Sequence, residues 1–474
     1  MNSYLKIDSL NIKSNNKYIL KNISFELFKN NITALTSKNN LIIDLFIKAL
    51  KKEINPVTGT IFFEPENIFF ISSKIYPTSF LTVAENVFLG NEIKKLGFIN
   101  KKAQNKKVTD VLNFFDINLD VNSFPDNNTF ISLLINLIKA FIFNFKFIMI
   151  DTRNIFLSDE NLKNLHNILK KLKENDFNII FISQSFTEIS LLSDEVLILN
   201  KDSAIKIPTA EISSDTLPKI LAGNNNILTD KPDSIFSKDK TVLRIKNLFL
   251  SSVINNVSFS VYKGEILGIT GFSASGANLT SHAFLHLINE AKGTTSFGNT
   301  ILKKPEKAAE NGILFLSKND SVKLLKKYPE FYFSSRQNKS EKLRQLFWFD
   351  SGKNSPPFYS YLKEALSSNK KEFDINSLIN IIFSGLSKLP RVVILDEPFE
   401  TLKSSQEEEL LISNISRLNE NGIAVIIDSD NFKKIAQLCS RTLIFYKGNI
   451  NKSLTGKNIT EANIIKYALG ISDD

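Results

Sequence analysis

The sequence predicts an α/β fold built twice: two tandem domains, each with a mainly parallel sheet flanked by helices. Three observations predict it. First, short runs of branched apolar residues end abruptly in carboxylates or turn residues, as buried parallel strands do. Val392-Val393-Ile394-Leu395-Asp396-Glu397-Pro398 is the clearest, and its proline stops the strand. Second, such runs alternate with helical stripes. Leu162, Leu165, Ile168, Leu169 and Leu172 form one stripe ahead of the run Ile179-Ile180-Phe181-Ile182, an alternation that lays helices on the faces of a parallel sheet. Third, the chain repeats itself. Leu20–Leu27 answers Ile254–Val261, Phe147–Asp151 answers Val392–Asp396, and Ile179–Ser183 answers Ala424–Asp428. Equivalent positions lie roughly 235–245 residues apart, the size of one domain.

The repeat sets the expected boundaries: a first domain over 1–223, a polar linker over 224–240, and a second domain over 241–474. In each copy a strand, a turn and a second apolar strand come first, Ile32–Leu35 in one and Glu265–Ile269 in the other. A loop follows, Ser37–Asp44 or Gly271–Asn278. Then come amphipathic helices and the strand that ends in Asp151 or Asp396. The stretch Ile131–Ile150 has the length of a membrane span. It carries Asn136, Lys139, Asn144 and Lys146, and a central lysine costs roughly 2.5–3.5 kcal/mol on insertion. It is therefore expected to be a buried helix, a turn, and a buried strand ending at Asp151.

Composition narrows the classes further. The chain is 43% hydrophobic and 23% charged, ordinary for a globular protein. A single cysteine, Cys439, excludes a disulfide framework and fits a reducing compartment. The start, MNSYLKIDSL, lacks the basic and apolar regions of a signal peptide. The net charge of +10 comes from scattered lysines rather than a basic run, so no nucleic-acid partner is expected. His166, His282 and His286 have no metal-ligand spacing and are taken as ordinary helical residues.

The residues that carry chemistry lie at the carboxyl ends of the expected strands, where open α/β sheets bind ligands. Asp396 stands where a magnesium water shell can be held, and Glu397 one residue further, where it can orient an attacking water. Gly271-Phe272-Ser273-Ala274-Ser275-Gly276 keeps the glycine spacing of a loop whose backbone N–H groups cradle phosphate.

With these motifs in order, and with Leu81-Thr82-Val83-Ala84-Glu85-Asn86-Val87-Phe88-Leu89-Gly90 close to the string LSVAENIFLG, the chain resembles a tandem ABC-type ATP-binding subunit of simple-sugar and nucleoside importers. The resemblance covers nearly the whole sequence. It implies ATP and magnesium as ligands and a transmembrane permease as partner, with a solute-binding protein reached through the complex. It also implies a peripheral position on the cytoplasmic face of the membrane. By the same resemblance Asp396 is the magnesium-holding residue, Glu397 the catalytic base, and Gly271, Ser273, Ser275, Gly276, Ala277 and Asn278 the nucleotide-binding loop. Ribosome- and DNA-acting relatives do not fit, because the linker is short and Cys439 stands alone.

The sequence departs from the family pattern in both copies. Ala277 replaces the lysine that reaches the phosphates, and Asn278 the hydroxyl that helps hold magnesium. The first loop has no glycine, carries Ile43 at the lysine position, and places Asp44 where it would repel phosphate. Lys38 is expected to be merely solvated. Thr152 stands at the position of the catalytic base, Gln184 at the switch histidine and Ser73 at the Q-loop glutamine. The signature motifs, which in the family cap the nucleotide of the opposite copy, align with Asn127–Ile131 and Glu372–Asn376 and have lost their serine and glycines. Impaired or absent hydrolysis is expected, with a non-hydrolysing structural or regulatory partner of a transporter as the alternative. Any nucleotide is expected at Gly271–Asn278 and not at Ser37–Asp44. Leu81, Val83, Val87 and Leu89 would serve a core, whereas Glu85 and Asn86 are expected to serve docking to the permease.

Overall fold

The structure is a computed structural model and describes residues 3–14, 17–63, 68–72, 77–125, 129–153, 155, 157–223, 240–251, 253–317, 390–400, 402 and 404–473. The expected linker 224–240 (all but its last residue), Ser73, Asn127, Asn128 and the second signature stretch Glu372–Asn376 lie outside the described residues. The chain divides into two compact units, Met1–Gly223 with Leu469–Ile471, and Asn224–Ala468 with Ser472–Asp474.

Each unit has the expected α/β architecture. In the first, a six-stranded sheet runs Ala204–Pro208, Glu195–Leu199, Ile32–Thr36, Asn178–Ile182, Phe147–Asp151, Ile68–Ser72. Its strands pair in parallel except at the Ala204–Pro208 edge. A separate antiparallel sheet is formed by Ser3–Ser14 between Lys17–Phe28 and Thr58–Phe63. The second unit repeats this plan. Its six strands are Ile313–Ser317, Val392–Asp396, Ala424–Asp428, Ile266–Gly271, Arg441–Tyr446 and Asn449–Thr455, again parallel up to the last pair. Read from the opposite edge, the order matches that of the first unit. Residues of the central strands Ile32–Thr36, Asn178–Ile182 and Ala424–Asp428 are buried throughout, which explains why they read as continuous apolar runs.

The core of the first unit lies between its two sheets and the helix Asn40–Leu50. It gathers Tyr4, Leu10, Ile43, Phe46, Phe147 and Ile182 among others, with Tyr4 set edge-on to Phe147 at 5.1 Å. The stripe Leu162, Leu165, Ile168, Leu169 and Leu172 is buried on the helix Asp159–Glu174. The membrane-length stretch resolves as expected into the helix Thr129–Ile142 and the strand Phe147–Asp151. Among the described residues no helix is long and apolar enough to cross a membrane.

Three expectations change here. Glu85 and Asn86 are cap and brace of the local fold, not free polar groups. The helix Val83–Phe88 starts with a capping box: Thr82 Oγ1 accepts from Glu85 N, and Glu85 Oε2 accepts from Thr82 N at 2.9 Å. Lys101 adds an ion pair to Glu85 at 2.7 Å. Asn86 is buried; it accepts from Thr78 N at 2.8 Å and donates to the carbonyls of Thr78, Leu81 and Thr82. Leu89, expected in the core with the buried Val83 and Val87, is exposed. His286 sits past the end of its helix, at φ 57°, not within it.

Asn86→Ala strips these four bonds from a buried turn. It is expected to cost the first unit about 1–3 kcal/mol, because the freed backbone groups lose partners without regaining full hydration. Denaturant unfolding followed by a probe in this unit measures it.

Candidate functional site

The two units present the same strand ends with different chemistry. Pairing of Ile32 with Ile179 and of Ile266 with Val425 makes Ser37–Asp44 the counterpart of Gly271–Asn278 in the repeat. In the second unit the strand Ile266–Gly271 leads into a loop, Phe272–Gly276, before the helix Ala277–Phe284. Gly276 sits at φ 88°, and a Cβ there would lie 2.3 Å from the Val253 carbonyl oxygen. At Gly271 a Cβ would meet Ser275 Oγ at 2.3 Å and the Phe445 carbonyl at 2.7 Å. Both positions therefore require glycine. Phe272 anchors the loop edge-on to Phe432 at 5.2 Å, and the buried Ser275 hydroxyl accepts from Ala277 N at 3.3 Å. Ser273, Ala274 and Asn278 are exposed and Ala277 is buried, and the loop has no cationic side chain at the lysine position.

In the first unit this loop has become helix. Only Ser37, Lys38 and Asn39 separate the strand Ile32–Thr36 from the helix Asn40–Leu50. Asn39 caps it by accepting from Leu41 N at 2.9 Å. With no glycine to take φ > 0 and with apolar residues at helical spacing, the chain winds up early, and Ile43 at the lysine position is wholly buried in the core. Lys38 is not merely solvated, since its Nζ donates to the Ala222 carbonyl at 3.0 Å.

A residue that the motif comparison passed over dominates this unit. Arg153, two positions after Asp151, donates through Nε and a terminal nitrogen to the two Asp151 oxygens at 3.0 and 2.7 Å. It also donates to Asp44 Oδ1 at 2.6 Å and to Asn40 Oδ1 at 3.0 Å. Gln184 donates to the Ser37 carbonyl at 3.1 Å and to Asn40 Oδ1 at 2.9 Å. Burial lowers the Arg153 pKa, but bonds and charge from Asp151 and then Asp44 outweigh it and raise the guanidinium above its ordinary range. The sequence did hold a signal: an acid stands in the loop at Asp44 and a base two positions after Asp151. Thr152, at the position of the base, is buried and donates to the Ile182 carbonyl at 3.0 Å and to Glu188 at 3.1 Å.

In the second unit the parallel register sets Asp396 beside Asp428. His282, from the helix after the loop, brings Nε2 to 3.8 Å from Asp396 Oδ2. It is thus a neighbour of the candidate magnesium residue rather than an ordinary helical one. Glu397 adopts φ 45°, unusual for a glutamate. Its amide donates to the Asp428 carbonyl at 2.9 Å, and its carboxyl accepts from Ser429 Oγ at 2.9 Å and Asp430 N at 3.1 Å. Burial, then the charge of Asp430, pushes its pKa up to about 8, against the lowering effect of Ser429. Burial and then Asp396 raise Asp428 well above the carboxylate range, and burial and then Glu400 raise Asp430. Among the described residues no group of three or more acidic, histidine or cysteine side chains is arranged to hold a metal ion by itself. The fit to magnesium nucleotide thus rests on the cradle and on Asp396 in the second unit, and fails in the first.

This cluster should make the stability of the second unit depend on pH. Glu397 binds a proton in the folded state that it releases in the unfolded chain near pH 4.5. Folding stability should therefore fall as pH rises from there to about 8, by about 1.4 kcal/mol per unit for one such group. Glu397→Gln should flatten that slope in unfolding measured across the same range.

The comparisons with known proteins follow the geometry. No family model matches the chain. It is 26% identical over 488 residues to a ribose import ATP-binding protein of Shouchella clausii, covering 95% of each chain. It is 22% identical over 502 residues to one of Caldanaerobacter subterraneus, covering 99% of this chain and all of that one. Among solved structures, an ABC transporter component of Clostridium perfringens is 18% identical, with a TM-score of 0.37 over 44% of this chain and 90% of its own.

Proposed function

We propose that this chain, which resembles tandem ABC-type ATP-binding subunits of sugar importers along nearly its whole length, serves as such a subunit for a sugar or nucleoside, with hydrolysis impaired or absent. The observation that carries this reading is the cradle Gly271–Gly276 at the end of a buried strand, with glycines where no Cβ fits. Its residues would hold phosphate through backbone N–H groups at the start of the helix Ala277–Phe284. Asp396 and Asn278 would face the magnesium shell. Magnesium, when bound, supplies charge neutralisation at the phosphates. Glu397 would be the group that takes a proton from water. With no cation bound, burial and the charge of Asp430 favour its protonated form, and a protonated carboxyl is a poor base. The absent lysine removes a further cation, so turnover is expected to lie orders of magnitude below that of an intact ATPase.

The alternative reading, a non-hydrolysing structural or regulatory partner in a transporter complex, is favoured by the side-chain network that fills the first unit's strand ends. Both readings place the chain peripherally on the cytoplasmic face of a membrane, against a permease that in turn meets a solute-binding protein. The surface offered to the permease follows the helix Val83–Phe88. There the hairpin of Lys94–Lys95 and Phe98–Ile99 exposes Leu96 by 91% and Phe98 by 81%, close in sequence to the exposed Phe80 and Leu89. Large apolar side chains grouped in this way fit a protein partner better than water.

Two measurements test the reading. Ala277→Lys restores the missing cation at a buried helix start. One added charge-assisted bond, about 1.5–3 kcal/mol, should tighten magnesium-ATP binding by roughly 10–100-fold in equilibrium titration of the purified chain. Equal affinity in both proteins would remove the phosphate role of this loop. Separately, Phe98→Asp with Leu96→Asp should weaken co-purification with the permease, whereas Glu397→Gln should leave it intact. The reverse pattern would end the docking assignment.

A further inference from the structure

We infer that Arg153 is the first unit's own cation: its guanidinium takes the part of the divalent ion in a phosphate-binding ATPase, and this unit keeps its fold without any nucleotide or metal. In such enzymes magnesium is held between the hydroxyl that ends the phosphate loop and an aspartate that ends another strand of the same sheet. Those two positions here are Asp44 and Asp151, and Arg153 bridges them at 2.6 and 2.7 Å. Its side chain is 10% exposed and Asp151 is 15% exposed, so the pair is shielded from solvent and salt. The planar fork matches the Asp151 carboxylate through two nitrogens, which a point charge would not do.

The remaining positions that would face a nucleotide are also bonded to one another. Asn40 Oδ1 accepts from Arg153 and from Gln184, and Gln184 reaches back to the Ser37 carbonyl. Loop, strand end and switch position thus form one closed network. Asp44 is the counter-ion of Arg153, which explains an acid at a position where it would repel phosphate. A second carboxylate at that site without the arginine would leave two like charges facing each other. The inference stands on this unit alone and does not depend on a permease or on what the second unit binds.

Hydrogen exchange of the full chain, followed in peptides from the helix Asn40–Leu50, tests it with magnesium chloride as the probe. In the wild-type chain, protection of the first helical turn should be the same with and without magnesium. In Arg153→Ala it should drop at least tenfold, and magnesium should restore part of it by bridging Asp44 and Asp151. Adding Asp44→Asn should abolish that response. Arg153→Lys, which keeps the charge and loses the fork, should show a smaller loss and no response to magnesium. It serves as the reading should Arg153→Ala fail to fold. Magnesium-dependent protection in the wild-type chain, or unchanged protection in Arg153→Ala or Arg153→Lys, would overturn the inference. Nucleotide binding by the second unit can fail without altering any of these outcomes.

Discussion

A carboxylate at the end of a fully buried parallel strand must be neutralised, and much of the chemistry of both units follows from how that is done. Burying an unpaired charge costs several kcal/mol, and the strands that end in Asp151 and Asp396 are closed in by their neighbours on both sides. The first unit answers with a guanidinium from the same turn. In the second, the neighbouring carboxyls Glu397, Asp428 and Asp430 hold their protons more tightly, chiefly through burial, and His282 lies alongside Asp396. One solution fixes the site. The other keeps protons on the carboxyls around it.

The same constraint separates the two loops. A phosphate cradle requires backbone N–H groups left without partners inside the protein, and that requires glycine at φ > 0 to hold the chain open. Gly276 takes that φ in the second unit, where the Ser275 N–H bonds to the Phe272 carbonyl and the Ala277 N–H to the Ser275 hydroxyl. The first unit has Ile42 there, and the chain gains more by winding into a capped helix and burying Ile42 and Ile43 in the core. There the Leu41 N–H is taken by the Asn39 side chain and the Ile42 N–H by the Asn39 carbonyl, and the Asp44 side chain serves as an internal counter-ion to Arg153.

The stretch Leu81–Gly90 shows how a motif can be set by local needs. Glu85 closes a capping box and Asn86 ties down the turn before it, so both are required by the domain that carries them. The surface available to a partner lies beside this stretch, on side chains such as Leu96 and Phe98 that the local fold leaves uncovered. Polar identity in a motif does not by itself mark a contact, because a buried turn also needs its backbone satisfied.

The sequence by itself determined the strands, the duplication and the strand-end positions of Asp151, Asp396 and Glu397. Burial on both faces forces continuous apolar runs, and such runs are legible without coordinates. It also exposed the missing lysine and glycines, since those roles belong to single residue types. It did not reveal that Ser37–Asp44 is mostly helix, because the choice between loop and helix depended on core space for Ile43. Nor did it reveal Arg153, whose partners Asp44 and Asn40 lie more than a hundred positions away. The roles of Glu85, Asn86 and His282 were likewise decided only by the tertiary structure. Each is set by which backbone or carboxylate the fold brings within reach, and periodicity and spacing carry no information about distances between segments remote in the chain.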